Sequence, residues 1–294
     1  MKAAPFAYRR AESLEEALDL LATHGAEAKL IAGGQSLVPM MAMRLARPAL
    51  LVDINRLPGL KGVAFGPQRA VIGATTRQRD LELDAALQRA VPLLPAALAW
   101  VGHVQTRNRG TLGGSLAHAD PSAELPLAAA VLDATLVLRS RDGGERRLPA
   151  REFFLAPMVT AAREQECLTA IEWPIWDGPG VACAFEEVAI RHGDFAIASA
   201  ACQIQCDAEG RCRRAAFGLG GVAGTPLVFP DLARQLIGRH ITDALAREVA
   251  QAAAARTEPG SDTHADAEYR RHLAAVLLRR ALLRAGAAPA RAAA

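Results

Sequence analysis

Two short segments of this 294-residue chain hold the residue types that bind phosphate. The first is Lys29-Leu30-Ile31-Ala32-Gly33-Gly34-Gln35-Ser36-Leu37. The second runs Arg107-Asn108-Arg109-Gly110-Thr111-Leu112-Gly113-Gly114-Ser115-Leu116-Ala117-His118-Ala119-Asp120-Pro121. Each sets a glycine pair beside small hydroxyl side chains, Ser36 in one and Thr111 and Ser115 in the other. Glycine tolerates positive φ and lets backbone N–H groups come close to an anion. Successive N–H groups in such a turn form a nest for negative charge, and a helix starting just after adds a favourable dipole. A single glycine pair is more often a tight structural turn. Two of them, each expected between a strand and a helix, point to a shared pyrophosphate. The familiar alternatives fail: no lysine follows either pair as the GxxxxGK(S/T) loop requires, and no strand-linked GxGxxG is present. A P-loop kinase and a Rossmann dehydrogenase therefore fit the sequence badly.

The remaining reactive side chains have plainer readings. Cys167, Cys183, Cys202, Cys206 and Cys212 contain no CxxC, and three clustered thiols without a fourth ligand make a poor zinc site. Cys202 and Cys206 fall on one face of an alternating segment and read as small core residues. The chain thus shows no iron–sulfur ligand motif of its own. His103 and His118 flank the second turn and read as surface or hydrogen-bonding residues. Asp194, after Gly193, either contacts a ligand or caps a turn. Trp100 reads as core, and Trp173 and Trp176 as packing at a junction.

Composition narrows the class further. Hydrophobic residues make up 51% and charged residues 22%, the balance of a folded soluble protein. Basic residues exceed acidic ones by three, 34 against 31, and are scattered, which argues against nucleic acid as the partner. No uncharged apolar run is long enough to span a bilayer, and the N-terminal residues lack a secretion-signal layout. The expected location is the cytoplasm.

The elements that must position the two turns alternate at first. Ser13 with Glu16 forms a capping box ahead of Leu14, Leu18 and Leu21, and Gly25 ends that helix. Strands are expected at 29–32 and 50–54, with a helix at 37–45 between them. From Leu60 the pattern shifts to hairpins at 62–73 and 135–148, a helical run beginning at 76–81, an apolar buried stretch at 92–100, a helix-prone stretch at 116–134 and a strand at 168–173. Trp176-Asp177-Gly178-Pro179-Gly180 is the clearest linker. Strands follow at 184–190, 196–206 and 215–220. Helices then dominate, the last at 265–285 with an apolar stripe of Leu273, Leu277, Leu278 and Leu282. Arg270, Arg271, Arg279, Arg280 and Arg284 are expected to point to solvent there.

In the order Ala32-Gly33-Gly34-Gln35-Ser36-Leu37, Val52-Asp53-Ile54, Arg107 to Ser115 and Ala119-Asp120-Pro121, the sequence resembles the FAD-binding medium subunit of molybdenum hydroxylases. This group includes the medium chain of aerobic carbon monoxide dehydrogenase and the flavin part of xanthine dehydrogenase. Glu187 to Ser199 and Tyr269 to Leu282 resemble the family's C-terminal domain, so nearly the whole chain is covered.

The resemblance implies an α+β protein: a two-subdomain α/β FAD-binding fold of the PCMH type, not Rossmann, then a smaller C-terminal domain of antiparallel sheet plus helices. The boundaries are 1–176, with subdomains at about 1–55 and 56–176, and 177–294. It implies that residues 32–36 and 111–115 hold the FAD pyrophosphate through their backbone, with Gln35 acting by backbone alone. Lys29 falls near the adenosine half, Glu124 at an acidic position that accepts from a ribose or flavin-side hydroxyl, and Asp120 in the turn after the second glycine pair. Val101, Gly102 and Leu168 fall near the isoalloxazine ring. No catalytic side chain and no metal site are expected. The implied function is an oxidoreductase subunit that passes electrons from 2Fe–2S clusters to an external acceptor. Its implied partners are a molybdenum-cofactor large subunit and a 2Fe–2S small subunit, a heterotrimer that associates as a dimer. The competing readings are a stand-alone flavin oxidase with its own small substrate and a flavin-free assembly scaffold.

Overall fold

The computed structural model describes residues 2–291; Met1 and residues 292–294, at the outer ends of the two expected domains, lie outside them. The N-terminal part comprises β1 (Ala7–Arg10), α1 (Leu14–His24), β2 (Ala28–Ile31), α2 (Leu37–Ala42) and β3 (Leu50–Asp53). Its three strands are parallel in the order β1-β3-β2, with Ala7 and Ala28 both opposite Leu50. Ser13 caps α1 as expected, its Oγ accepting from the Glu16 amide at 3.1 Å. The Glu16 carboxylate accepts from the Glu12 amide at 2.8 Å, one residue before the usual capping-box donor. Helix α2 stops at Ala42 instead of Leu45, because Arg44 takes φ 61°, outside any right-handed helix.

The middle part is an antiparallel sheet faced by helices. Its elements are β4 (Val63–Phe65), β5 (Arg69–Gly73), α3 (Gln78–Leu83), α4 (Ala85–Ala90), α5 (Leu93–Leu98), α6 (Val104–Arg109), α7 (Leu112–His118), α8 (Glu124–Val131), β6 (Thr135–Ser140), β7 (Gly144–Pro149), α9 (Ala150–Phe153), β8 (Phe154–Ala156), β9 (Val159–Thr160) and β10 (Cys167–Pro174). The sheet order is β4-β5-β10-β6-β7. The helix-prone stretch over 116–134 is divided: Ala119 ends α7 in the left-handed conformation, and Asp120-Pro121 forms a loop before α8. Every residue of α8 is buried. Such a helix has no solvent face, and α8 fills the space between the middle sheet's helices and the sheet that follows.

The C-terminal part begins with β11 (Val181–Val188), β12 (Ala198–Cys206), β13 (Cys212–Gly220) and β14 (Leu227–Val228), antiparallel in that order. Then come α10 (Pro230–Arg234), α11 (Asp243–Ala254) and α12 (Ala267–Arg291). Strand β12 is buried on both faces. Ala198, Ala200, Cys202, Ile204 and Cys206 pack under α11 and α12, where Cys202 Sγ donates to the Ala281 carbonyl at 3.1 Å. Ala201, on the opposite face with Ser199 and Gln203, joins the core of the middle part. Residues of one strand therefore close two cores. All five cysteines are free, and no metal-binding group of His, Cys, Asp or Glu occurs among the described residues.

Leu127 sits at the centre of this junction, fully buried on α8, close to Gly218 and Gly220 of β13. Leu127→Ala should destabilise the chain by about 2–5 kcal/mol, read as a lower urea midpoint with the slope unchanged.

Candidate functional site

A cleft of about 1400 Å³ is shared by all three parts. One wall is the segment Lys29, Leu30, Ile31, Ala32, Gly33, Gly34, Gln35, Ser36 and Leu37. Another is Gly110, Thr111, Gly113, Gly114 and Ser115. Val101, Gly102, Asp120, Glu124 and Leu168 line it from the middle part, and Asp194 from the loop after β11. The structure thus brings the residues expected around the cofactor to one cavity, while His103, Trp100, Trp173, Trp176 and the cysteines do not line it.

The two glycine turns are built differently. In the first, the amides of residues 33 to 37 donate to no group of the chain among the described residues, Gly34 takes φ 70°, and Gln35 folds its side-chain amide back on the Gly33 carbonyl at 3.2 Å. That is a nest of open donors. In the second turn the amides are already engaged. Leu112 donates to the Thr76 carbonyl at 3.0 Å, Gly113 to Ala74 at 2.8 Å, Gly114 to Thr111 Oγ1 at 3.1 Å and Ser115 to the Thr111 carbonyl at 3.2 Å. The sequence expectation of two equivalent anion nests is corrected: Thr111 caps α7, and the second turn spends its amides on the fold. It offers the cleft the Ser115 hydroxyl and a bare glycine surface.

The glycines also have a packing role that the sequence did not reveal. A Cβ on Gly33 would collide with the Arg109 carbonyl and lie 2.9 Å from Gly110 Cα. One on Gly113 would lie 2.5 Å from Ala74 Cβ. Hydrogen bonds staple the same contact. Asn55 Nδ2 donates to the Ala32 carbonyl and to Asp53 Oδ1, both at 2.7 Å, while its Oδ1 accepts from Arg77 Nη2 at 2.8 Å; Arg77 Nη1 donates to the Arg109 carbonyl. The Tyr8 hydroxyl completes the chain by donating to Asp53 Oδ2 at 2.5 Å. Burial alone would lift Asp53, but hydrogen bonds from Tyr8 and both Asn55 donors outweigh it and hold the carboxylate below its usual range. Asn55 and Arg77 carry no motif that would have drawn attention to them.

At the other end of the cleft, buried Arg107 sets the Val101-Gly102 loop. Its Nη1 donates to the carbonyls of Val101 at 2.9 Å and Gly102 at 3.1 Å, and its Nε and Nη2 form a fork on Glu82 at 2.8 and 3.0 Å. Burial pushes Glu82 upward, yet Arg107 and Arg79 together hold it ionised below the ordinary carboxylate range. The loop carrying Asp194 lies over this region. Gly193 lies close against the His103 ring, and His192 stacks on half-buried Trp100 at 5.5 Å. That loop also brings Ile190 and Phe195 to the cleft, exposed apolar residues not singled out in the sequence. Arg270 is a correction. Expected in solvent, it is buried, because it donates to the Ile197 carbonyl at 2.7 Å, to Gly221 at 3.3 Å and to Asp262 at 2.6 Å.

Two acidic residues lie deep. Glu124, at the first turn of α8, opens on the cleft; burial pushes its carboxyl up to about 7, with Asp120 adding to the rise against Arg107. Glu187 on β11 is driven to about 9, first by burial and then by Glu124.

The family model for the FAD-binding domain in molybdopterin dehydrogenase matches residues 4–176, and that for the CO dehydrogenase flavoprotein C-terminal domain matches 183–285. The chain belongs to this flavoprotein family. It is 40% identical to the 6-hydroxypseudooxynicotine dehydrogenase complex subunit alpha of Paenarthrobacter nicotinovorans, over 97% of this chain and 96% of that one. The caffeine dehydrogenase subunit beta of Pseudomonas sp. (strain CBB1) is 36% identical over the same shares. Among solved structures, carbon monoxide dehydrogenase from Hydrogenophaga pseudoflava, in a form lacking the Mo-pyranopterin moiety, superimposes with a TM-score of 0.93 at 36% identity, covering 98% of this chain and 99% of that one.

The cleft of this flavoprotein chain suits a dinucleotide of FAD's make-up. Unengaged amides would offer donors to a diphosphate, and Val101 and Leu168 would offer an apolar wall to a ring system. The turn-to-turn contact should be measurable without cofactor. Gly33→Ala should lower the stability of the FAD-free chain by about 1–3 kcal/mol and weaken FAD uptake; an unchanged urea midpoint would show that the two turns do not meet. The deep carboxyls give a pH dependence. Both are protonated more readily folded than unfolded, so their contribution is complete below the ordinary value of 4.5 and is lost as pH rises to about 7 for Glu124 and about 9 for Glu187. Stability of the FAD-free chain should fall across that window, and Glu187→Gln should flatten the upper part.

Proposed function

We propose that this chain passes electrons, through one bound FAD, from 2Fe–2S clusters on a small partner subunit to an external acceptor, within a molybdenum hydroxylase whose large subunit carries the molybdenum cofactor. The observation that carries the reading is the single cleft into which three parts of the fold deliver an open amide nest, an apolar wall and a loop. Relatives matched over nearly their whole length bear the names of caffeine, a nicotine derivative and carbon monoxide. One type of chain serving such different reactants supports a substrate site on another subunit.

Within the cleft, residues 32–36 hold the pyrophosphate by their backbone, and Thr111 to Ser115 support it mainly through Ser115 and close glycine packing. Lys29 lies beside the adenosine half, while Val101, Gly102 and Leu168 lie against the ring, with Asp120, Glu124 and Asp194 around its polar edge. Bound FAD supplies two-electron and one-electron chemistry; the chain orients it and screens it from water. The division of the chain at Trp176, with subdomains meeting near residue 55, is supported by the three main sheets, which draw their strands from 7–53, 63–174 and 181–228. The cytoplasm fits five cysteines that all stay free.

The purified chain should show the visible spectrum of a flavin, and the released flavin should be FAD by chromatography. FMN would contradict the pyrophosphate nest. Steady turnover of small alcohols or amines with oxygen would favour a self-contained oxidase, and no uptake of added FAD would favour a scaffold. Gly33→Val should abolish uptake, whereas Arg280→Ala, on the exposed side of α12, should leave it intact.

A further inference from the structure

The interface between the middle and C-terminal parts buries a polar cluster that the fold does not use. Both carboxyl oxygens of Glu187 and the Ser199 hydroxyl are sealed from solvent and have no hydrogen-bond partner. The two residues are directly opposite each other on β11 and β12, so their side chains share the face turned towards α8. Ser199 is also opposite Gly220 on β13, where an added Cβ would lie 2.6 Å from Ser199 Oγ and 3.2 Å from Leu127 of α8. Glu124 stands one turn before Leu127 on the same side of that helix, and it reaches the cleft. Glu187, Ser199 and Glu124 therefore stand at one end of the interface, behind the wall of the cleft.

Among the described residues no cation pairs with them, although Arg270 keeps one buried, unpartnered donor in its Nε. Arg107, which acts on Glu124 from α6, is committed to Glu82, and Arg270, which closes the ends of β12 and β13, is committed to Asp262. Asp120 and His118 face the cleft beside Glu124, α5 contributes no charged residue, and β12 and β13 bring Ser199, Gln203 and apolar groups to this end of the face; Gln205 and Arg214 lie at its far end, where the Arg214 guanidinium sits over Trp176. A sealed carboxylate without counter-charge or hydrogen bond is too costly to persist, so the group stays protonated. Both carboxyls also lie high on the pH scale, as described above.

We propose that Glu124, Glu187 and Ser199 form an interdomain proton site, which takes up a proton from water when a flavin in the cleft is reduced. In this balance two electrons from an added reductant such as dithionite, with one proton, go to the flavin. A second proton forms an O–H bond on the Glu124 carboxylate, offsetting the negative charge left on the ring, while Glu187 remains the acid behind it. The inference rests on the reading that the cleft holds FAD.

The test uses the full chain loaded with FAD, its uptake first verified by the visible spectrum. Each proton gained with two electrons adds about 30 mV per pH unit to the slope of midpoint potential against pH. Between pH 7 and 8.5 the wild-type slope should exceed that of Glu124→Gln by about one such increment. The reduced-minus-oxidised infrared spectrum should contain a carboxylic acid carbonyl band that shifts in heavy water and changes in Glu187→Gln. The wild-type spectrum alone decides the matter if either variant folds poorly. Equal slopes, or full FAD loading with no carboxylic acid band, overturn the proton site and leave the flavin reading standing. A chain that takes up no FAD fails at the first step and removes both.

Discussion

Because Gly33 has no side chain, the first glycine turn can lie directly on the backbone of Arg109 and Gly110, and the cleft takes its shape from that contact. The parallel three-stranded unit and the antiparallel five-stranded unit have distinct cores, the first closed in part by Leu60 and by Cys167 of β10. What fixes the distance between their site-bearing segments is this glycine-on-backbone approach, with Asn55 and Arg77 tying the Ala32 and Arg109 carbonyls to one network. A methyl group at residue 33 would separate the two walls, and the network could not follow without breaking. The Tyr8–Asp53 bond brings the otherwise exposed strand β1 into the same arrangement.

The division of labour between the turns follows from their hydrogen bonds. A backbone amide can serve the fold or a ligand, and it is costly to bury one that serves neither. The second turn pairs with residues 74–78 and caps α7, so it is rigid before any ligand arrives. The first leaves its amides open, and the six-residue helix after it is too short to add much dipole. Rigidity on one wall and open donors on the other let a diphosphate be gripped without reorganising both sides, which is the sense of preorganisation in binding.

Much of this was legible in the sequence, for reasons that differ by element. Strand-turn-helix punctuation located the first glycine segment, and alternation located β12 and its core cysteines, since both are local signals; the second glycine pair, expected after a strand, follows α6 instead and lies in the first turn of α7. The resemblance in motif order brought Glu124, Leu168 and Asp194 to the same site across more than sixty residues of intervening chain, which no periodicity could do. Three things were hidden. Two of the second turn's engaged amides, those of Leu112 and Gly113, depend on partners far upstream, at Thr76 and Ala74. Arg270 lies in an Arg-rich helical stretch where one arginine looks like the next, and only the carbonyls of Ile197 and Gly221 distinguish it. The break at Ala119 comes from a left-handed alanine, a conformation with no residue-type signature.

Arg270 also explains why a C-terminal part is needed for a site built mainly by the first two. The loop from Ala189 to Ile197 spans the cleft and has little core of its own: Phe195 and Ile190 are exposed, and Gly193 takes φ 93°. Its start is held by His192 on Trp100 and by Gly193 packed on His103; its end is held by Arg270 on the Ile197 carbonyl. A guanidinium is suited to this because its donors spread over several acceptors in one plane, here two carbonyls and Asp262. The long last helix thus acts at a distance: packed on β12 through its leucines, it delivers one buried charge to the loop that covers the cleft.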